Sequence, residues 1–194
     1  MYVRTKIGLI SLNDDLIVGK GAHRTCYRHP EAHNLCIKVS REGFSQEQDQ
    51  ELAYYKRLSN RNIQWQLLAR YHGTVHTNIG TGYVFDLVID ANNQPAKTLE
   101  HYLNQPNSEA LAEPLLNLKD YLLHNLVITK EIKPRNIACV NNNGTIERCV
   151  VVDDIGNTEF FPISNYVSSS AKRKINRKWQ RFEASLNELG LSLN

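Results

Sequence analysis

No stretch of this sequence approaches the roughly 18 consecutive apolar residues that a membrane-spanning helix needs, which excludes a helical membrane protein. The opening "MYVRTKIGLISLNDDLIVG" has neither a continuous apolar core nor a small-residue cleavage site, so no signal peptide is expected. A cytoplasmic protein is expected. Charge of one sign is also lacking: Lys and Arg exceed Asp and Glu by only 23 to 20, too little to imply a polyanionic partner for the chain as a whole. Cysteine is scarce and scattered. Cys26, Cys36, Cys139 and Cys149 form no C-x-x-C pair and each falls in a strand-like run, so buried reduced thiols are expected rather than disulfides or a metal cluster. Internal repeats are absent, which excludes solenoids. At 194 residues the chain can bury one substantial core or two small lobes.

What is present changes character along the chain. "DLIVG" and "NLCIKV" are short apolar, β-branched runs with the turn-forming "RHPEAHN" between them. From Ser45, "SQEQDQELAYYKRLSNRNI" places Leu52, Tyr55 and Leu58 at three-residue spacing, which predicts an amphipathic helix. "GYVFDLVID" returns to strand, and "ANNQPAK" reads as a linker. Beyond it, "TLEHYLNQ" predicts a helix with Thr98 as its cap. "SEALAEPLLNLKDYLLHNL" predicts a longer one, capped by Ser108, with Leu111, Leu115, Leu118 and Leu122 on one face. Two strands around "IACV" and "RCVVVDD" flank the turn "NNNGT". The expected fold class is α+β, with sheet plus one helix over residues 1–90 and a helical part with a short hairpin over 98–194.

The tail is distinct. Ile175, Trp179, Phe182, Leu186 and Leu189 recur at steps of four and three, and Lys172, Arg173, Lys174, Arg177, Lys178 and Arg181 crowd the same segment. This predicts a helix with an apolar stripe and a water-facing basic back, which also offers a dock for an anionic partner. Phe160 and Phe161 are expected as core anchors. His72 and His76 stand four apart in a glycine-containing strand or turn, so no metal site is expected from them.

Several residues carry potential chemistry. Gly19 and Gly21 in "LIVGKGAHRTCY" would let backbone N–H groups approach a polyphosphate, and Arg24 would stiffen that turn or add a cation. Lys38 in "LCIKV" lies among apolar neighbours, where a desolvated ammonium pairs well with phosphate oxygens. Glu51 on the next helix is positioned to hold it. The run "KEIKPRNI", residues 130–137, follows an apolar strand, and "DDIGN" puts Asp153 and Asp154 at the end of another.

Taken in order, "GKGAHRTCY", "CIKV", "ELAYYKRLSNRNI", "GYVFDLV", "EIKPRNI" and "DDIGN" resemble the signature set of the protein-kinase-like superfamily over residues 13–157. The small size, "ELAYYKRL" and "KPRNI" look most like the YrbL family of bacterial proteins, whose name links it to the PhoP regulatory network. The resemblance implies one minimal two-lobed kinase-like domain with a truncated C-terminal lobe. It implies ATP and Mg²⁺ as cofactors. Gly19 and Gly21 would cover the phosphates, Lys38 would contact them while paired with Glu51, and Asn136 and Asp154 would bind metal, with Asp153 as runner-up. Glu131 would stand at the base position, and Lys133 would steady the transferring phosphoryl group.

Two departures qualify that pattern. Glu131 is one methylene longer than the aspartate the family uses, and Thr129 and Lys130 replace a His-Arg pair, so the bonds bracing this loop must be remade. After Gly156 come 38 residues without an Ala-Pro-Glu segment, so the peptide-substrate platform of that pattern is not expected. The expected function is an ATP- and Mg²⁺-dependent phosphotransferase acting on an unknown small-molecule or protein acceptor. The alternative is a non-catalytic kinase-like regulator in a bacterial signalling or stress-response network.

Overall fold

A computed structural model describes residues 8–41, 43, 45–103, 105, 108–157, 164 and 167–193. The chain is mixed α and β, with two antiparallel sheets and four α-helices among the described residues. It divides into two units, 1–52 with 70–87, and 53–69 with 88–194.

The first unit is built on five strands: β1 (Ile17–Lys20), β2 (Arg24–Arg28), β3 (Leu35–Ser40), β4 (Tyr71–Thr77) and β5 (Gly80–Asp86), in the spatial order β1-β2-β3-β5-β4. Central β3 pairs with β2 on one side and β5 on the other, and its residues Cys36 to Val39 are all buried. That continuous burial explains why Leu35, Cys36, Ile37 and Val39 are apolar on both faces of the strand, with Lys38 buried among them. Ile37, Val39, Tyr27, Val75, Val84 and Leu12 close the core on one face of the sheet. Gly82 of β5 sits inside it, where an added Cβ would lie 2.5 Å from Cγ2 of Ile37. Only glycine fits there. The first half of α1 (Ser45–Asn60) completes this unit.

In the second unit, β6 (Lys97–Thr98), β7 (Ile137–Asn142) and β8 (Thr145–Val151) form a three-stranded sheet. Thr98 ends β6 immediately before the short α2 (Leu99–Leu103). The longer α3 (Ala112–His124) packs on β8 and buries Leu115, Leu118, Tyr121 and Leu122, with buried Leu111 just before it, as its leucine spacing predicts. Its cap position is Leu111, however, and Ser108 opens a 3₁₀ turn, Ser108–Leu111, instead of capping the helix. The expected linker also differs. Asp90 N–H donates to the Gln94 carbonyl, Asn93 adopts φ 61°, and Ile89 bridges Pro95, so 89–95 is a tight turn within the second unit. Asn at the left-handed position supplies the turn chemistry.

The last helix, α4 (Ser168–Glu188), buries Ala171, Ile175, Trp179, Phe182 and Leu186, with Trp179 edge-on to Phe182 at 5.3 Å. Two expectations about it are corrected. Leu189 is 59% exposed because the helix stops before it and Gly190 turns the chain at φ 86°, so that Leu191 and Leu193 are the residues buried there. Lys174 and Lys178 do not join the water-facing back: Lys174 is buried and Lys178 half-buried, whereas Lys172, Arg173, Arg177 and Arg181 are exposed. Positions 174 and 178 fall beside 175 and 179 on the helical stripe, and long lysine stems can lie along apolar surface. Phe160 and Phe161 lie outside the described residues.

All four cysteines are free thiols. Cys139 and Cys149 face each other across β7 and β8 with sulfurs 3.6 Å apart, and the hydrogen bond between them, together with burial, pushes the Cys139 thiol far up. Cys36 is raised likewise, first by its hydrogen bond with Cys26 and then by burial. Since the thiolate is the reactive form, only the partly exposed Cys26 is expected to react with a thiol reagent in the folded protein. The other three are expected to react only as urea unfolds it; rapid modification of Cys139 or Cys149 in buffer would contradict this.

Candidate functional site

In the first unit, the β1–β2 turn is closed by Gly21 N–H donating to the Arg24 carbonyl at 2.9 Å. A Cβ at Gly21 would stand 3.3 Å from that oxygen, while one at Gly19 would meet nothing within 4 Å. The Arg24 side chain turns toward α1. Its guanidinium donates to Gln48 at 3.0 Å and to the Glu51 carboxylate at 2.7 Å, with the Glu51 side chain only 2% exposed. A buried carboxylate needs such a charged partner. Arg24 thereby ties the turn to the helix that carries Glu51. Lys38, on β3, is 6% exposed and its ammonium lies 4.5 Å from the centre of the Phe85 ring. The cation faces an aromatic surface in a desolvated setting.

In the second unit, the β7–β8 ladder does not stop at its formal ends. Val152 N–H donates to the Asn136 carbonyl, Lys130 N–H to the Asp154 carbonyl at 2.6 Å, and Gly156 N–H to the Ile128 carbonyl, with Thr129 bridging Ile155. Residues 131–135 bulge out of this antiparallel pairing. Pro134 starts a 3₁₀ turn, Pro134–Asn136, that returns the chain to β7, and buried Ile132 anchors the excursion. Tyr54 accepts the Ile128 N–H through its hydroxyl at 2.8 Å.

This arrangement brings Asn136 and Asp154 together. Asn136 Nδ2 donates to Asp154 Oδ2 at 2.7 Å, and Asp154 holds a left-handed backbone, φ 61°. Aspartate is among the few residues that tolerate that conformation. Asp153 Oδ1 accepts the Asp154 N–H at 2.8 Å, which makes Asp153 a brace of the turn. Glu131 and Lys133 also meet: their charged atoms lie 2.6 Å apart, at 64% and 36% side-chain exposure.

The family described as PhoP regulatory network protein YrbL matches residues 10–187 of this chain. The chain belongs to the YrbL family. It is 37% identical over 183 residues to the YrbL proteins of Escherichia coli (strain K12) and of Shigella flexneri, a match covering 91% of this chain and 87% of either relative. The segments quoted above for that family are thus carried in a chain that is a member of it over most of its length.

For a YrbL chain the site has a feature that sequence reading missed. The Lys178 ammonium of α4 donates to the carbonyls of both Thr129 and Lys130. The loop that follows Thr129 and Lys130 is thus braced from the tail. One turn earlier, Lys174 donates to Asn157 Oδ1, and Asn157 in turn donates to Ser164 Oγ at 2.8 Å. A signal was available, since Lys174 and Lys178 share the face of Ile175 and Trp179. The Glu131 carboxyl is held below its ordinary value, chiefly by its hydrogen bond to Lys133 and further by the charges of Lys133, Lys178 and Arg135.

Among the described residues, no three His, Cys, Asp or Glu side chains converge to hold a metal alone, and His72 instead pairs with Asp86 at 2.5 Å. Magnesium is commonly bound by one or two carboxylates together with substrate phosphates. The Asn136–Asp154 pair fits that role, because the bond between Nδ2 and Oδ2 leaves each side chain one further oxygen.

Proposed function

We propose that this YrbL-family chain is an ATP- and Mg²⁺-dependent phosphotransferase of the protein-kinase-like fold with a reduced C-terminal lobe, acting on a small-molecule or protein acceptor. The observation that carries the reading is the Asn136–Asp154 pair beside the 131–135 bulge: an amide and a carboxylate joined at 2.7 Å, next to a loop presenting Glu131 and Lys133. In this reading Asn136 and Asp154 hold the magnesium ion, which neutralises phosphate charge when bound. Lys38, with Glu51 and the glycines of the β1–β2 turn, engages the phosphates. Glu131 accepts the proton of the attacking hydroxyl, and Lys133 leaves Glu131 to meet the transferring phosphoryl group.

The depressed Glu131 pKa has a defined consequence. A carboxylate whose folded value is lowered stays ionised through neutral pH, so the acid limb of kcat/KM, which reports the free enzyme with Lys133 still paired, is expected below the ordinary glutamate range. Any stability it contributes is present above its unfolded value and is lost as pH falls through the folded one; the pair is exposed, so that contribution is small. Glu131→Gln is expected to lower ATP turnover by about 100-fold or more while nucleotide affinity changes by no more than about twofold, within the range of a surface pair. Turnover equal to wild type in Glu131→Gln would remove Glu131 from the chemistry.

One observation favours a second reading. With Glu131 paired to Lys133 and largely exposed, the base is occupied, as suits a non-catalytic nucleotide-binding regulator. In that case wild type binds Mg-ATP without turning it over, and Glu131→Gln binds it as well.

A further inference from the structure

The peptide linking Thr129, Lys130 and Glu131 is held from two directions. On one side, the Lys130 N–H donates to the carbonyl of Asp154 at 2.6 Å. On the other, the Lys178 ammonium donates to the carbonyls of Thr129 and Lys130. Lys178 is itself fixed by its neighbours on α4, since Ile175, Trp179 and Phe182 are all buried. Its companion Lys174, buried to 6% exposure, fastens Asn157, three residues beyond Asp154.

We propose that Lys178 is a positioning residue: the C-terminal helix sets the place of Glu131 and Lys133 by gripping the two carbonyls that precede them. This rests on the phosphotransferase reading for its catalytic consequence, but the grip itself is independent of it. The chemistry is that of a half-buried ammonium directing its donors at backbone oxygens. Removing it leaves both carbonyls without that charge-assisted partner, and the bulge loses this hold from α4. The same charge also helps keep Glu131 ionised. Arg173 and Arg177 of α4 are exposed.

The test uses the full chain with Lys178→Met, which keeps the apolar stem, Lys178→Arg, which keeps the charge, and Arg173→Gln as control. Amide hydrogen exchange is followed at Lys130 and Gly156, with the β7 amides as internal reference. In Lys178→Met, exchange at Lys130 and Gly156 is expected to rise by about 10-fold or more relative to β7, as in local opening, and Lys178→Arg to restore most of the protection. For ATP turnover, Lys178→Met is expected to lower kcat by about 10- to 100-fold, the range of other supporting contacts, with KM nearly unchanged and partial recovery in Lys178→Arg. Should Lys178→Met not fold, Lys178→Gln carries the same comparison.

Unchanged exchange at Lys130 and Gly156 would overturn the proposal. So would a rise shared equally by β7, since that marks general destabilisation, or a fall in kcat matched by Arg173→Gln. If wild type itself turns over no nucleotide, the phosphotransferase reading fails, and the exchange measurement still decides whether Lys178 positions the loop.

Discussion

Asp154→Asn is expected to weaken magnesium-dependent nucleotide binding severely while leaving the fold intact. Asparagine tolerates the left-handed backbone at φ 61°, which alanine would occupy under strain, and its amide oxygen would still accept the Asn136 Nδ2 bond. What the substitution removes is the negative charge and the second oxygen, the one left free by the Asn136 bond. Because magnesium takes few protein ligands and favours carboxylates, the magnesium-dependent part of nucleotide affinity is expected to fall by roughly 100-fold, at the upper end of losses measured for supporting groups alone. The check is the thermal shift produced by ATP as magnesium is raised: large in wild type, flat in Asp154→Asn. Asp153→Ala is expected to fall between them, since it removes the oxygen that orients the turn by accepting the Asp154 N–H. A wild-type magnesium response in Asp154→Asn would show that the ion is held elsewhere.

The second large effect is on stability. Trp179 is fully buried on α4, edge-on to Phe182, with the Lys119 ammonium 5.8 Å from its ring centre. Trp179→Ala is expected to cost about 3–5 kcal/mol, the usual loss for a buried aromatic truncated in a core, seen as a lower urea midpoint. For a chain of this length each 1 kcal/mol corresponds to roughly 2–4 °C, so the thermal midpoint is expected to fall by about 10 °C. Trp179→Phe is expected to cost far less. The indole N–H has no hydrogen-bond partner among the described residues, so phenylalanine loses volume but also removes an unsatisfied donor. Equal losses in the two variants would mean that packing around the indole is not what holds the helix.

These two substitutions separate parts of the chain that sequence patterns reveal unequally. The strands of the first unit and the leucine face of α3 follow from period and composition, because burial on one side of an element writes itself into every second or every third and fourth residue. Asn136 and Asp154 were legible as a pair of motifs, "KPRNI" and "DDIGN", and they meet at 2.7 Å. Lys178 was not, because lysine on a basic helix suggests solvent, and only its register with Trp179 places it inward. The 89–95 segment misled for a related reason: Asn, Gln and Pro mark a turn but do not say whether the chain leaves or folds back. Arg24 is a third case. A cation in a glycine-containing turn suggests phosphate, whereas its guanidinium is engaged with Gln48 and Glu51. The acid-base pair of Glu131 and Lys133 lay two residues apart in plain view, and their contact depends on the bulge that neither residue encodes.

The family assignment adds a name and a regulatory association, and the chemistry proposed for the chain rests on its own residues. The most direct test of that chemistry is a calorimetric titration of the wild-type protein with ATP, with and without magnesium. Saturable one-to-one binding that requires magnesium and is lost in Lys38→Ala is the predicted result. An absence of heat and of binding under both conditions would contradict the nucleotide site and leave the fold as a scaffold for some other partner.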